Sequence, residues 1–197
     1  MIYPATYNIV ILQDSTWKAS LRLTGTAKDV AIDVPNNLFT SACHGPAAND
    51  PIIFTAKTIE GATSLPPCGL EMNKPYYVIA AGLTDNVFAV SETIGGSSLT
   101  LHGTQAGSFT FARPINLTGA TVDADIKASA GGVLIKTFTC TVVTPLLGEI
   151  QMLLSAADAA SLDPRNYAYD LSVTTAAGER YYWLTGKVEV RKTFSRA

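Results

Sequence analysis

The sequence predicts an all-β fold, a sandwich-type arrangement with one short connecting helix. Three observations carry this. Apolar and polar residues alternate with period two through most of the chain. Turn formers separate short strand-like runs. A single segment carries helix start and stop signals. The composition permits such a fold: of 197 residues, 47% are hydrophobic, enough for a real core, and the net charge is −2. Intrinsic disorder, which needs low hydrophobicity and high net charge, is excluded on those grounds. The length leaves room for one large domain or two small ones.

The elements follow in chain order. Tyr7 to Leu12 reads as an apolar strand. Between Trp17 and Leu23, residues Trp17, Ala19, Leu21 and Leu23 face one way and Lys18, Ser20 and Arg22 the other, as in a half-buried strand. Gln13 to Thr16 lie among turn formers, so the two strands are expected to make a hairpin or a tight corner. From about Gly25 to Ala112 the texture changes. Six of the ten prolines lie there, and three lysines face seven acidic residues, net −4, against +2 for the remainder. Short strands are expected at Leu38 to Cys43, Ile52 to Ala56, Tyr76 to Ala80, Val87 to Ser91, Leu99 to Leu101 and Phe109 to Phe111. Together they read as a compact second β-module.

After the module the alternation resumes. Val122, Ala124 and Ile126 oppose Asp123, Asp125 and Lys127. Ala130-Gly131-Gly132 turns the chain, Val133 to Val143 is β-branched and Thr-rich, and Glu149 to Leu154 is a further strand. Ser155 to Leu162 reads as a two-turn helix with Ser155 as N-cap and Pro164 beyond its end. Tyr167, Tyr169, Leu171 and Val173 alternate with polar residues, Ala176 to Glu179 turn the chain, and Arg180 to Val190 runs back as a hairpin. The flanking strands belong to one sandwich, because without either its first or its last strands it would have a bare edge. The expected organisation is therefore residues 1–24 plus 113–197 as one discontinuous domain, with 25–112 inserted in a loop of it.

These residues also resemble a known family. Thr6 to Ile11 with Gln13, then Trp17 to Leu21, resembles the opening of an immunoglobulin-like domain of tailed-phage structural proteins, a family that includes the N-terminal domain of lactococcal phage upper baseplate proteins. Pro114-Ile115-Asn116-Leu117-Thr118-Gly119 matches a segment that follows soon after in the family, here displaced by the module. Gly148-Glu149-Ile150, Leu153 to Asp158, Asn166 to Leu171, Gly178 and Leu184 to Val190 continue the match in order. The inserted segment resembles a small phage-associated β-module likened to the first catalytic cysteine half-domain of ubiquitin-activating enzymes, through Asn37 to Ala42, His44-Gly45, Asp50, Tyr76 to Ile79, Asn86 to Ser91 and Gly95-Gly96. Its loop Ile59 to Met72 is longer than in that unit. The resemblance implies an immunoglobulin-like β-sandwich with an inserted small β-barrel-like domain. It implies a structural virion protein, at the baseplate or at a tail-fibre attachment, acting as an adaptor through subunit interfaces. Its partners would be other tail or baseplate proteins and further copies of itself, in a virion made in the host bacterial cytoplasm. A capsid decoration or head-fibre protein and a module that binds host surface glycan remain as alternatives.

The near-neutral charge argues against nucleic-acid binding. No run reaches the roughly 18 apolar residues that cross a bilayer. Residues 1–7 lack a basic stretch followed by an apolar one, so no secretory signal is expected. Cys43, Cys68 and Cys140 have no metal-like spacing and are expected as buried thiols, a Cys43–Cys68 disulfide remaining open. Cys43, Cys68, His44 and His102 could supply four zinc ligands, but neighbours on a strand point to opposite faces, and His44-Gly45 is better read as a turn. Asp123 and Asp125 lie about 7 Å apart on one strand face, within glycosidase range, yet Lys127 continues the row as on a solvated face. No Gly-x-Ser-x-Gly elbow or phosphate loop occurs. No enzyme activity, cofactor or metal is expected. The aromatic run Tyr181, Tyr182 and Trp183, with Phe194 in the basic tail, is the candidate interface, Tyr181 and Trp183 facing one way and Tyr182 the other.

Overall fold

The structure, a computed structural model, describes residues 5–59 and 61–193. The chain forms two compact units, Met1–Leu23 with Asn116–Ala197, and Thr24–Ile115. Unit 1 opens with β1 (Ala5–Thr6), β2 (Ile9–Leu12) and β3 (Trp17–Arg22). Unit 2 follows with β4 (Lys28–Asp33), β5 (Leu38–Thr40), β6 (Pro51–Ala56), β7 (Thr58–Ile59), β8 (Ala62–Thr63), β9 (Pro75–Val78), β10 (Val87–Phe88), β11 (Val90–Ser91) and β12 (Phe109–Ala112). The chain then returns to unit 1 with β13 (Thr121–Lys127), β14 (Leu134–Thr144), β15 (Glu149–Leu154), helix α1 (Ala156–Ala160), β16 (Asn166–Thr174) and β17 (Arg180–Arg191). The described residues are predominantly β, in two large curled sheets, an immunoglobulin-like sandwich and a barrel-like module, with β7 and β8 pairing as a separate two-stranded ribbon.

In unit 1 the strand order is β1-β17-β16-β13-β14-β15-β3, with β2 also pairing β17. The long strand β14 serves both layers. Its residues from Leu134 to Phe138 pair with β13, and those from Thr139 to Thr144 pair with β15. Alternation holds along it: Phe138 is buried, and Thr137, Thr139 and Thr141 are exposed. The inner faces bring together Ile9, Ile11, Ala124, Ile126, Ile150, Met152, Leu171 and Val188, each at most 2% exposed. Trp17, Ala19 and Leu21 lie opposite Leu154, Met152 and Ile150, and the Trp17 ring packs 5.3 Å from Phe138. The single face read for this strand is therefore its inner one.

Strands β2 and β3 make a corner and not a hairpin. Strand β2 pairs in parallel with β17, whereas β3 pairs antiparallel with β15. The change of layer is made at Asp14, in the left-handed region at φ 62°, with the Ser15 amide donating to the Leu12 carbonyl. Helix α1 starts as expected: the Ser155 hydroxyl accepts the Asp158 amide at 3.1 Å and donates to the Asp158 carboxylate at 2.6 Å. At the start of β16, buried Tyr167 donates its hydroxyl to the Asp163 carbonyl, four residues upstream, at 3.2 Å. This is the tyrosine-corner arrangement of immunoglobulin-type sandwiches.

Unit 2 closes on itself. Its strand order is β10-β5-β4-β12-β6-β9-β11. The two edge strands, β10 and β11, are consecutive in sequence and separated only by Ala89. One stretch, Val87 to Ser91, thus pairs with β5 at its start and with β9 at its end, which seals the barrel. The interior is aromatic. Phe39 stacks on Phe54 at 4.6 Å and on Phe88 at 5.5 Å, and Phe88 meets Phe111 edge-on at 5.3 Å. Buried Tyr76 keeps its hydroxyl satisfied by accepting the Glu71 amide at 2.9 Å.

Several expected strands of this unit are corrected. Leu38 to Cys43 ends at Thr40, because Cys43 turns at φ 46° and gives its amide to the Asn86 side chain at 2.9 Å. Tyr76 to Ala80 ends at Val78. Leu99 to Leu101 is not a strand: the Leu99 amide reaches the Val90 carbonyl, and the Leu101 amide goes to the Asn37 side chain at 2.7 Å. Strand β4, not foreseen, buries Val30 and Ile32.

Candidate functional site

The aromatic run on β17 lies at the end of the last hairpin. Tyr181 and Tyr182 are 41% and 47% exposed, so both are open to a partner. Trp183 is half-buried. The alternation expected for these three residues breaks at a bulge. Leu171 pairs with Leu184 and Ser172 with Tyr182, which leaves Trp183 as the extra residue without a cross-strand partner. Tyr182 lies under the Arg180 guanidinium at 5.5 Å, and that guanidinium donates to the buried Ser172 hydroxyl at 2.8 and 3.0 Å. Tyr181 donates its hydroxyl to Glu179 at 2.8 Å. Tyr167 and Tyr169 are core residues, each 3% exposed. Phe194 lies outside the described residues.

A second surface was not foreseen. On β2, Ile9 and Ile11 point inward while Val10 and Leu12 are 46% and 48% exposed, and Tyr7 just before them is 46% exposed. Val10 and Leu12 lie on the edge strand β2, and Tyr7 on the segment that leads into it beside β17. The edge is held by specific bonds. The Tyr7 amide donates to the Thr185 carbonyl at 3.0 Å, and the Asn8 side-chain oxygen accepts the Lys187 amide at 3.0 Å. From the core, the Tyr169 hydroxyl donates to the Tyr7 carbonyl at 2.7 Å, and burial pushes the Tyr169 phenol up to about 12. The signal was present in the sequence, in the apolar residues at both parities of Tyr7 to Leu12. An edge strand with outward apolar side chains invites pairing with another chain.

The outer face of the same sheet is polar. Lys127 and Asp170 form an ion pair at 2.6 Å, with about a quarter and a fifth of each side chain exposed. The Asp170 hydrogen bond raises the Lys127 ammonium above its ordinary value. Asp125 lies opposite Asp170 and accepts the Thr137 hydroxyl at 3.3 Å. Asp123 and Asp125 thus belong to a solvated face with Lys127, alternating with buried Ala124 and Ile126. A cleft of about 540 Å³ opens on this face between the turn of residues 128–131 and strands β16 and β17.

The histidines and two of the cysteines lie in unit 2. His44 is 4% exposed, with its ring edge-on to Phe88 at 4.9 Å and its Nε2 2.5 Å from the Thr84 carbonyl oxygen. It follows the turn at Cys43 and packs as a core residue. Among the described residues, no three histidines, cysteines or carboxylates gather as metal ligands. Cys43 and Cys68 are exposed free thiols, which corrects their expected burial, because Cys43 stands in a turn and Cys68 in an isolated bridge with His102, neither on an inner strand face. Cys140 is half-buried on β14, and burial, with Asp123 adding to it, pushes its thiol up to about 11. Since the thiolate is the reactive form, iodoacetamide at neutral pH is expected to alkylate Cys43 and Cys68 at least about tenfold faster than Cys140. Peptide mass mapping over time checks this, and equal rates would show that Cys140 is not protected.

No family model matches the chain, and no curated protein matches it. Among solved structures, it is similar to AggA, the major subunit of aggregative adherence fimbriae type I from Escherichia coli. That likeness has 9% identity over 96% of this chain and 91% of that one, at a TM-score of 0.23.

Proposed function

We propose that the chain is a structural subunit of a tailed-phage particle, acting at the baseplate or at a tail-fibre attachment through subunit interfaces and without turnover. The observation that carries this reading is the group of exposed apolar side chains at the edge of unit 1, Val10 and Leu12 on β2 with Tyr7 just before it. An uncovered apolar edge is a liability for a lone protein and an asset for one that assembles. The order of the family-like segments, from Thr6 to Val190, supports the phage assignment. The exposed pair Tyr181 and Tyr182 supplies anchors of the type enriched at interfaces. Further copies of the chain and other tail proteins are the partners in this reading, with closed rotational symmetry preventing open filaments.

Immunogold labelling of particles from the producing strain, with antibody raised against residues 25–112, is the test. Label at the tail tip is the expected result. Label over the head would overturn the tail position in favour of a decoration protein, and unlabelled particles would overturn the virion reading itself. In the same strain, lysine at both Val10 and Leu12 is expected to remove the label from the tail without loss of the soluble protein.

A further inference from the structure

The cleft on the outer face of unit 1 has a chemistry that the adaptor role does not use. Its floor follows from register. Lys127 on β13 lies opposite Ala168 on β16, and Ala168 lies opposite Lys187 on β17. Two lysines therefore flank one small apolar residue in a single row, their Cα atoms about 10 Å apart across two strand spacings. The next residue along β16 on the same face is Asp170, already bonded to Lys127 at 2.6 Å. Asn166 lies on the other side of Ala168 and is exposed. Lys187 is exposed and has no ion-pair partner among the described residues. All five residues line the same cavity of about 540 Å³, a size within the roughly 300–1,000 Å³ of small-molecule clefts. Its wall is a tight turn, closed by hydrogen bonds from the Ala128 amide to Val133 and from the Gly132 amide to Ser129, so the cleft is preformed.

The geometry points to a binding site for an acidic saccharide residue, with the sugar carboxylate on Lys187, its vicinal hydroxyls on the Lys127–Asp170 pair and Asn166, and its C–H face on Ala168. The Lys127–Asp170 pair offers a donor beside an acceptor, which suits a hydroxyl that accepts from one and donates to the other. The Lys187 ammonium, without an ion-pair partner among the described residues, calls for an anionic group, and a charge-assisted bond there is stronger than a neutral one. Ala168 leaves room for a flat ring where a longer side chain would fill the floor. An acidic peptide side chain meets only part of this: its carboxylate satisfies Lys187, but it brings no hydroxyl donors to Asp170. Tyr182, two pairing steps from Asp170 on β17's face of the hairpin, stands beyond the end of the cleft as an exposed ring for a second sugar unit. This inference stands independently of the virion reading, since the site lies within one chain.

The test uses the full chain, labelled with nitrogen-15, and three probes: methyl glucuronide, methyl glucoside and N-acetylglutamate amide. Amide shifts are followed in two-dimensional spectra during titration. Methyl glucuronide is expected to move the amides of Lys127, Ala168 and Lys187 saturably in the millimolar range, at least about tenfold more tightly than the uncharged glucoside. Lys187→Gln is expected to erase that difference, and Ala168→Leu to weaken both sugars, with the remaining spectrum unchanged as proof of folding. Absence of saturable shifts at these residues with the glucuronide would overturn the site. Equal binding of glucuronide and glucoside would overturn the role of Lys187, and a response to N-acetylglutamate amide as strong as to glucuronide would assign the cleft to acidic peptides instead. Particle labelling as described above is unaffected by any of these results, so the two readings fail separately.

Discussion

Replacing Phe39 by alanine is expected to destabilise the barrel-like unit by about 3–5 kcal/mol, the range for a fully buried aromatic ring that leaves a cavity. Phe39 is 0% exposed and sits between two other rings, Phe54 at 4.6 Å and Phe88 at 5.5 Å. Its backbone also stands at a junction, pairing with Ile32 on one side and Phe88 on the other. The loss therefore falls on the strand that meets the closing segment Val87 to Ser91. Collapse around the void is restricted, because closed barrels hold their strands at fixed spacing. Hydrogen exchange of peptides from β4, β5 and β12 under increasing denaturant gives the measurement. Trp17 and Trp183 both lie in unit 1, so tryptophan fluorescence follows the sandwich separately. A loss below about 1 kcal/mol in the barrel peptides would mean that Phe39 is not the centre of a packed core.

Gly186→Ala is expected to cost about 3 kcal/mol in unit 1, through overpacking plus a lost hydrogen bond. A Cβ at this position would stand 2.9 Å from the Tyr7 carbonyl carbon, closer still to its oxygen, and 3.0 Å from the Tyr169 ring. The obstacle is backbone, so it does not move aside as the tip of a side chain would. The segment around Tyr7 must retreat from β17, and the Tyr169 hydroxyl loses its acceptor there. Two readouts check this. The denaturation midpoint followed by tryptophan fluorescence is expected to fall. In alkaline ultraviolet titration, the Tyr169 phenol, held up at about 12 by burial, is expected to ionise nearer the ordinary tyrosine value of about 10. A raised phenol favours the neutral form in the folded state, so its contribution to stability is present below about 10 and lost as pH rises through about 12. An unchanged midpoint together with an unchanged titration would show that β17 has room at this point.

The candidate surfaces were legible to different depths. Tyr181 and Tyr182 stand beside the closing turn of the last hairpin, as the sequence places them, and both are exposed. The break at Trp183 was not legible, because a bulge is decided by two registers meeting, here Leu171 with Leu184 and Ser172 with Tyr182. Lys127, Asp170 and Lys187 each read as ordinary outward residues of separate strands. Their meeting around Ala168 depends on three strands pairing at particular residues, and nothing local to any of them states the register. Val10 and Leu12 belong to a run that is apolar at both parities, and only the tertiary structure decides that Ile9 and Ile11 take the inner face and leave Val10 and Leu12 on the uncovered one.

By itself the sequence determined the all-β class, the alternating faces of β3, β13 and β16, the capped helix after Ser155 and the closing hairpin of β16 and β17. Each of these is encoded within a few residues, by alternation, a cap or a turn. Tertiary structure alone decided the parallel pairing of β2 with β17, almost a chain length apart, the sharing of β14 between two layers, and the closure of the barrel at Ala89. The period of a strand says which face is buried, but its partner is chosen by packing across the whole core.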